Sequence, residues 1–364
     1  MSDLSTQNIK KKKRKRRNVF YIFEIILCLI ALTAILIAIA MIFKYHNMQQ
    51  EADLVKSQLS VYQDSNNPYY SSEEVAKMLQ DKYDEAYDAG QSEAEEILLK
   101  NIKNNLLETN SSLDTFKKLF PDEIIIVDNS KYYFMPINEN LKQSSLMDSD
   151  FVKQDSGRIS YIGDKKAYTG IDVSKFQEKI NWSKVASDNI DYAIIRVGYR
   201  GYSKGEIFDD DTFEDNIEGA LKNYLDVGVY FLTQATSESE AIEEAKYVLD
   251  KIEPYKINYP VVLDVESVGG DSGRGNSLSM EDRTSYAIAF LDTIKNAGYD
   301  VCIYGNLKTF MLMLDINKLE NYSKWFAGYT DSPYYPYAFD MWQYTDTGSV
   351  NGISETVDIN LCFK

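Results

Sequence analysis

The chain has 364 residues, 44% of them apolar, and a formal net charge of −17, which allows two or three folded units with a sizeable core. Its single histidine, His46, excludes Ser-His-Asp and Cys-His catalysis and most zinc sites, so carboxylates are left to carry acid and base work. The last two hundred residues carry about −15, and phosphate binding needs a basic footprint, so nucleic acid is not an expected partner. Cys28, Cys302 and Cys362 lack metal or redox spacing. They read as small buried apolar side chains, with a Cys302 to Cys362 bridge as the lesser alternative.

Residues 1–18 form a basic tail in which Lys10 to Arg17 is an unbroken run of eight basic residues. Val19 to Phe43 follows as 25 nearly continuous apolar residues, and about 20 suffice to cross a bilayer. The positive-inside rule places the N-terminus in the cytoplasm and the remainder outside the cell membrane, single-pass. Ala38-Ile39-Ala40 resembles a signal-peptidase site, but the apolar run exceeds a usual signal core, so an uncleaved anchor is expected. Residues 44–70 read as a short helical stalk, broken at Asn67-Pro68.

Ser71 to Glu74 has the form of a helix start with an acidic first turn, and apolar residues recur at helical spacing to Leu107 with a break at Gly90. Glu123 to Val127 and Lys131 to Ile137 are β-rich runs separated by Asp128-Asn129-Ser130, a hairpin signal. Residues 71–151 therefore read as a small α+β spacer module and 152–167 as a polar connector. The Tyr and Leu stripes of the spacer read as packing surface. Protein partners of residues 45–167 are an open possibility.

From residue 168 to 364 strand and helix patterns alternate. Strands are expected at Gly170 to Val173, Tyr192 to Val197, Gly228 to Leu232, Val261 to Glu266 and Val301 to Tyr304. Helices are expected at Trp182 to Ser187, Thr212 to Leu225, Ser239 to Ile252, Met280 to Ala297 and Leu307 to Leu314. Trp325 to Tyr329, Asp340 to Tyr344 and Val357 to Asn360 follow with little room for helices. The fold class is α/β, a flattened TIM-like (β/α)5(β)3 barrel whose last third lacks outer helices.

Within Pro260 to Ser267, Asp264 and Glu266 must project from one side, because strand side chains change face at every residue. Acids at a strand's C-terminal end lie where such barrels keep their active sites. On spacing alone, a pair of solvated acids or a cation site fits equally well. Asp172 closes the first strand and Asp358 lies in the eighth, its neighbour in a closed barrel, so four acids face one mouth. Tyr199, Tyr230, Tyr304, Tyr329, Trp342 and Tyr344 crowd the same rim, and acids with aromatics suit a carbohydrate. Any one of these rings is as well explained by barrel packing.

Gly170-Ile-Asp-Val-Ser174, Ile195-Arg-Val-Gly-Tyr-Arg200, Gly228-Val-Tyr-Phe231, Pro260 to Glu266, Ile303-Tyr-Gly-Asn306, Trp342-Gln-Tyr344 and Val357-Asp-Ile-Asn360 follow one another in an order that resembles glycoside hydrolase family 25, the Chalaropsis-type lysozymes. The resemblance covers residues 168–364 and implies a muramidase cutting peptidoglycan between N-acetylmuramic acid and N-acetylglucosamine. It implies Glu266 as general acid, Asp264 as stabiliser or nucleophile, and Asp172 and Asp358 as orienting acids. Tyr230, Tyr304, Trp342, Arg196 and Arg200 are expected substrate contacts. No metal or cofactor is expected. With no wall-binding repeats after Asn360, the membrane anchor is expected to hold the enzyme at the wall. The rival readings are an inactive glycan-binding scaffold on the same barrel and an enzyme for another N-acetylhexosamine polymer such as chitin.

Overall fold

The computed structural model of the chain describes residues 111–128, 131–268 and 273–364 and, upstream, residues 77, 81, 97, 98, 100–102 and 104. The expected tail 1–18, membrane span 19–43 and stalk 44–70 lie outside the described residues, as do most positions of the helices expected between 71 and 107. Lys77, Asp81 and Ile102 among these are helical. Among the described residues no helix is long and apolar enough to cross a membrane.

Ser111 opens helix α1 (Ser112–Leu119) by accepting the Asp114 amide on its hydroxyl, an N-cap that satisfies one of the helix's free donors. Strands β1 (Glu123–Asp128) and β2 (Lys131–Pro136) pair antiparallel as the hairpin expected there. Phe116 and Phe120 of the helical segment pack edge-on against Phe134 of the hairpin. The expected connector holds a second hairpin, β3 (Phe151–Lys153) with β4 (Ile159–Tyr161). It turns through Gly157 at φ 83°, a conformation that favours glycine.

The barrel then runs β5 (Ala167–Val173), α2 (Trp182–Ala186), β6 (Tyr192–Arg200), β7 (Ile207–Asp209), α3 (Phe213–Lys222), β8 (Asp226–Leu232) and α4 (Glu238–Ile252). It continues through β9 (Val261–Asp264), α5 (Met280–Asn296), β10 (Val301–Asn306), a single π turn (Thr309–Met313), β11 (Ser323–Ala327), β12 (Met341–Gly348) and β13 (Val357–Phe363). Going round the sheet, the order is β5, β13, β12, β11, β10, β9, β8, β6, closed by pairing of β6 with β5. Two features were not expected. Strand β7 folds back on β6 as a hairpin arm, and β13 runs antiparallel to both its neighbours.

Inside the barrel, Tyr192, Ile194, Val262, Cys302, Trp325, Met341 and Cys362 form one buried cluster, with both cysteines free thiols. Gly170 is required beside it, because a Cβ there would meet the Tyr192 ring at 2.2 Å. The outer face of the last strands, which no helix among the described residues covers, is covered instead from upstream. Phe151 packs on Trp342 at 5.1 Å and on Phe363 at 6.1 Å, and Tyr161 packs on Phe363 at 5.2 Å. Backbone bonds from Ser144 to Pro336 and from Ala338 to Lys142, with the Ile125 amide donating to the Tyr334 hydroxyl, extend this seam. Within the expected spacer module and polar connector, residues 111–128 and 131–166 therefore make direct contacts with the barrel.

Candidate active site

Asp172 and Asp358 are directly opposed across β5 and β13. Because β13 is antiparallel, its beginning, not its end, stands at the mouth to which the parallel strands point, and this brings Asp358 beside Asp172. Asp264 ends β9, and Glu266 emerges two residues on from the same face. A pocket of about 180 Å³ at the mouth is lined by all four acids with Tyr230, Tyr304, Trp325, Tyr329 and Gln343. The structure thus gathers Asp172, Asp264, Glu266, Asp358, Tyr230 and Tyr304 as expected. Among the described residues, no group of acids, cysteines or histidine is arranged to hold a metal ion.

Gln343 and Asn360 build the floor. The Gln343 amide oxygen accepts from the hydroxyls of Tyr304 (2.8 Å) and Tyr329 (3.0 Å), so its nitrogen is the end that donates to Asp172 Oδ2 at 2.9 Å. Asn360 donates to the same Oδ2 at 2.8 Å while accepting from the Trp325 indole at 2.9 Å. Neither residue was singled out from the sequence, although both sit in motifs that carry the resemblance. Asn360 lies two positions from Asp358 in the same strand and so shares its face, and that was the available signal for it; Gln343 has no site acid in its strand and carried none.

Burial raises the proton affinity of all four carboxyls, and for Asp264, Glu266 and Asp358 the charge of neighbouring carboxyls adds to it. For Asp172 burial dominates, and the amide donors of Asn360 and Gln343 work against it by favouring the anion. Asp358 is pushed up to about 9, by burial first and then by the charge of Asp172, to which it hydrogen-bonds. Within that pair the charge of Asp172 favours the proton on Asp358. Asp264 is held well above the usual carboxylate range by burial and by Glu266, with Arg196 opposing. Glu266 is raised by burial and by Asp172. The site can hold a protonated acid near neutrality, above a floor whose two amide donors favour the ionised form of Asp172.

The structure takes three expected contacts out of the pocket lining. Trp342 is fully buried on the outer face of β12, where it donates to the Gly328 carbonyl at 2.9 Å. Its neighbour Gln343 is the residue that points in. Arg200 turns outward onto α4, where it binds Glu244 at 2.6 Å, Glu243 at 2.7 Å and the Gly205 carbonyl. A β-bulge between Arg196 and Gly198 reverses the alternation, so Arg200 does not share the face of Arg196. Arg196 stays beside the mouth, with its Nε on Asp210 at 2.7 Å and its Nη2 buried without a hydrogen-bond partner.

A family model described as "Glycosyl hydrolases family 25" matches residues 171–353, half of the chain. The chain is 26% identical over 192 residues to the autolytic lysozyme of Clostridium acetobutylicum, covering 52% of this chain and 54% of that protein. It is 27% identical over 197 residues to the uncharacterized protein YegX of Escherichia coli K12, covering 53% of this chain and 68% of YegX. It thus spans about half the length of the lysozyme relative. Among solved structures it is similar to the modular autolysin LytC from Streptococcus pneumoniae in complex with a synthetic peptidoglycan ligand. That match has a TM-score of 0.50 and 25% identity, over 66% of this chain and 56% of LytC.

Proposed function

The chain belongs to glycosyl hydrolase family 25, and from that premise we propose that it is a peptidoglycan muramidase that hydrolyses the β-1,4 bond between N-acetylmuramic acid and N-acetylglucosamine. The observation that carries the reading is the convergence of four carboxyls on one pocket, each with raised proton affinity. In this reading Glu266 protonates the glycosidic oxygen as positive charge develops at the muramic acid C1. That charge favours ionised carboxylates around it, so Asp264 acts as a carboxylate that stabilises the cation or attacks it, the glycosidic C–O bond breaking as the proton of Glu266 passes to the leaving oxygen. Asp172, supplied with two amide donors, stays the fixed anion of the floor, and Asp358 holds the neighbouring proton and orients water. Tyr230 and Tyr304 remain neutral phenols, held well above their ordinary ionisation range by burial; Tyr230 serves as a wall and a hydroxyl donor to the sugar, and Tyr304, whose hydroxyl proton is given to Gln343, serves as a wall.

Digestion of purified peptidoglycan with mass spectrometry of the products tests the reading. Fragments with N-acetylmuramic acid at their new reducing ends are expected. N-acetylglucosamine at those ends, or no release, would overturn it.

The apolar run Val19 to Phe43 is proposed to tether the enzyme in the cell membrane with its barrel on the wall side, for wall remodelling or local wall opening. A tether supplies a high local concentration at the wall. Protease added to intact protoplasts should remove the barrel. Protection of the barrel, or its release by alkaline carbonate, would contradict the anchor.

A further inference from the structure

A pocket of about 180 Å³ holds little more than the ring at the bond being cut, against roughly 300–1,000 Å³ for an ordinary ligand site. Most of a polymeric substrate must therefore bind on the rim. Five aromatic side chains are exposed among the described residues: Phe176, Tyr202, Phe208, Tyr224 and Tyr329. Four stand on segments that extend from the mouth, while Tyr224 lies between α3 and β8 at the other end of the barrel.

Two of the four belong to one continuous strip. Phe176, 67% exposed, follows β5, and Phe208, 43% exposed, lies in β7. Between them the Arg196 guanidinium sits 5.2 Å from the Phe176 ring centre and 5.5 Å from that of Tyr199. Tyr199 in turn stacks on Phe208 at 5.4 Å with 23° between planes. The strip is fixed from beneath by Asp210, which is 3% exposed. Its carboxylate accepts from Arg196 Nε (2.7 Å), the Lys175 amide (3.1 Å), and the amide (3.0 Å) and hydroxyl (2.7 Å) of Thr212. One buried anion therefore ties together the loop bearing Phe176, the strand bearing Tyr199 and the start of α3. Rings held still in this way lose little freedom when a ligand stacks on them. Around the closed sheet β6 and β11 lie four places apart in either direction, so the strip and Tyr329 face one another across the acids.

We propose that Phe176, Tyr199 and Phe208 form a remote binding site for further N-acetylhexosamine rings of the same glycan strand, which lies across the mouth from Tyr329, over the acids, to the strip. The proposal rests on the muramidase reading and deepens it, because it makes the substrate a long strand bound at points away from the reacting bond. Pyranose rings present flat C–H faces that suit exposed aromatic rings. The buried, unpartnered Nη2 of Arg196 adds a donor in the middle of the strip for acetamido or lactyl oxygens.

The test is the double variant Phe176→Ala/Phe208→Ala, with Tyr224→Ala as a control ring at the far end. The readout is the ratio of kcat/KM for long, peptide-free glycan strands to that for the shortest oligosaccharide cleaved. Losing two stacking contacts should lower this ratio about tenfold, and Tyr224→Ala should leave it within about twofold. A ratio the double variant does not change overturns the proposal, as does an equal fall in the control. The same pair of changes in a Glu266→Gln background should weaken binding to those strands about tenfold without any turnover. If wild type cleaves nothing, the muramidase reading fails on its own, and the binding arm still decides the strip: binding undiminished by the double variant would sink it.

Discussion

Replacing Gln343 by methionine keeps the length of a side chain that is 2% exposed and removes all of its hydrogen bonds. Asp172 loses its 2.9 Å amide donor and Tyr304, 8% exposed, loses the acceptor of its hydroxyl, whereas the Tyr329 hydroxyl stands in an open pocket that water reaches. A bond to a charged group contributes about 1.5–3 kcal/mol and an orphaned buried hydroxyl costs about 1–3 kcal/mol. Added apolar burial offsets part of this, so denaturant unfolding should show a loss of about 2–4 kcal/mol. With one of two amide donors gone, the Asp172 anion is less favoured and its proton affinity rises further. The acidic limb of the pH–rate profile on purified wall should therefore move to higher pH, with kcat/KM down about 10–100-fold, as for other residues that orient a reacting group from behind. A variant that loses stability while its pH profile stays in place would show that Gln343 is only packing, and would refute the assignment of Asp172 as the fixed anion.

Arg200→Ala should destabilise the fold by about 3–5 kcal/mol, because Glu244, buried and with its proton affinity raised to about 7, is left without its guanidinium; a loss under about 1 kcal/mol in thermal or denaturant unfolding would contradict the buried network. Phe151→Ala should cost about 3 kcal/mol by uncovering Trp342 and Phe363, and a variant as stable as wild type would show that the upstream hairpin is dispensable to the barrel. Asp358 takes its proton near pH 4 when unfolded but holds it up to about 9 when folded, so between those values the native state binds more protons and stability falls as pH rises. Asp358→Asn removes that cost. Its unfolding free energy should gain on wild type from pH 5 to pH 9 by at least about 1.4 kcal/mol, the value of one pKa unit, and a pH-independent difference would rule the linkage out.

The alternation of strand and helix from Gly170 onward made the barrel legible, and four of its helices, α2 to α5, fall within a few residues of their expected places. Asp264 and Glu266 were legible for the same reason, since strand periodicity alone puts them on one face. Direction was not legible: the short segment between β12 and β13 permits a reversal, and only the pairing of Asp358 with Asp172 displays it. Arg200 and Trp342 were misplaced for related reasons. A single extra residue at the bulge after Arg196 flips the phase of everything beyond it, and on β12 nothing in Trp342-Gln-Tyr344 says which neighbour points in. The cover over the bare strands was invisible because Phe151 and Tyr161 lie in three-residue strands, too short for a periodic signal.

The account depends most on Glu266 being the group that carries the proton to the glycosidic oxygen. Release of reducing ends from purified peptidoglycan by Glu266→Gln, compared with wild type at matched fold stability, measures this directly. The variant should bind wall and lose at least about a hundredfold in rate, at the lower end of what a positioned general acid contributes. A rate within about tenfold of wild type would contradict the assignment and shift the chemistry to another carboxyl of the four.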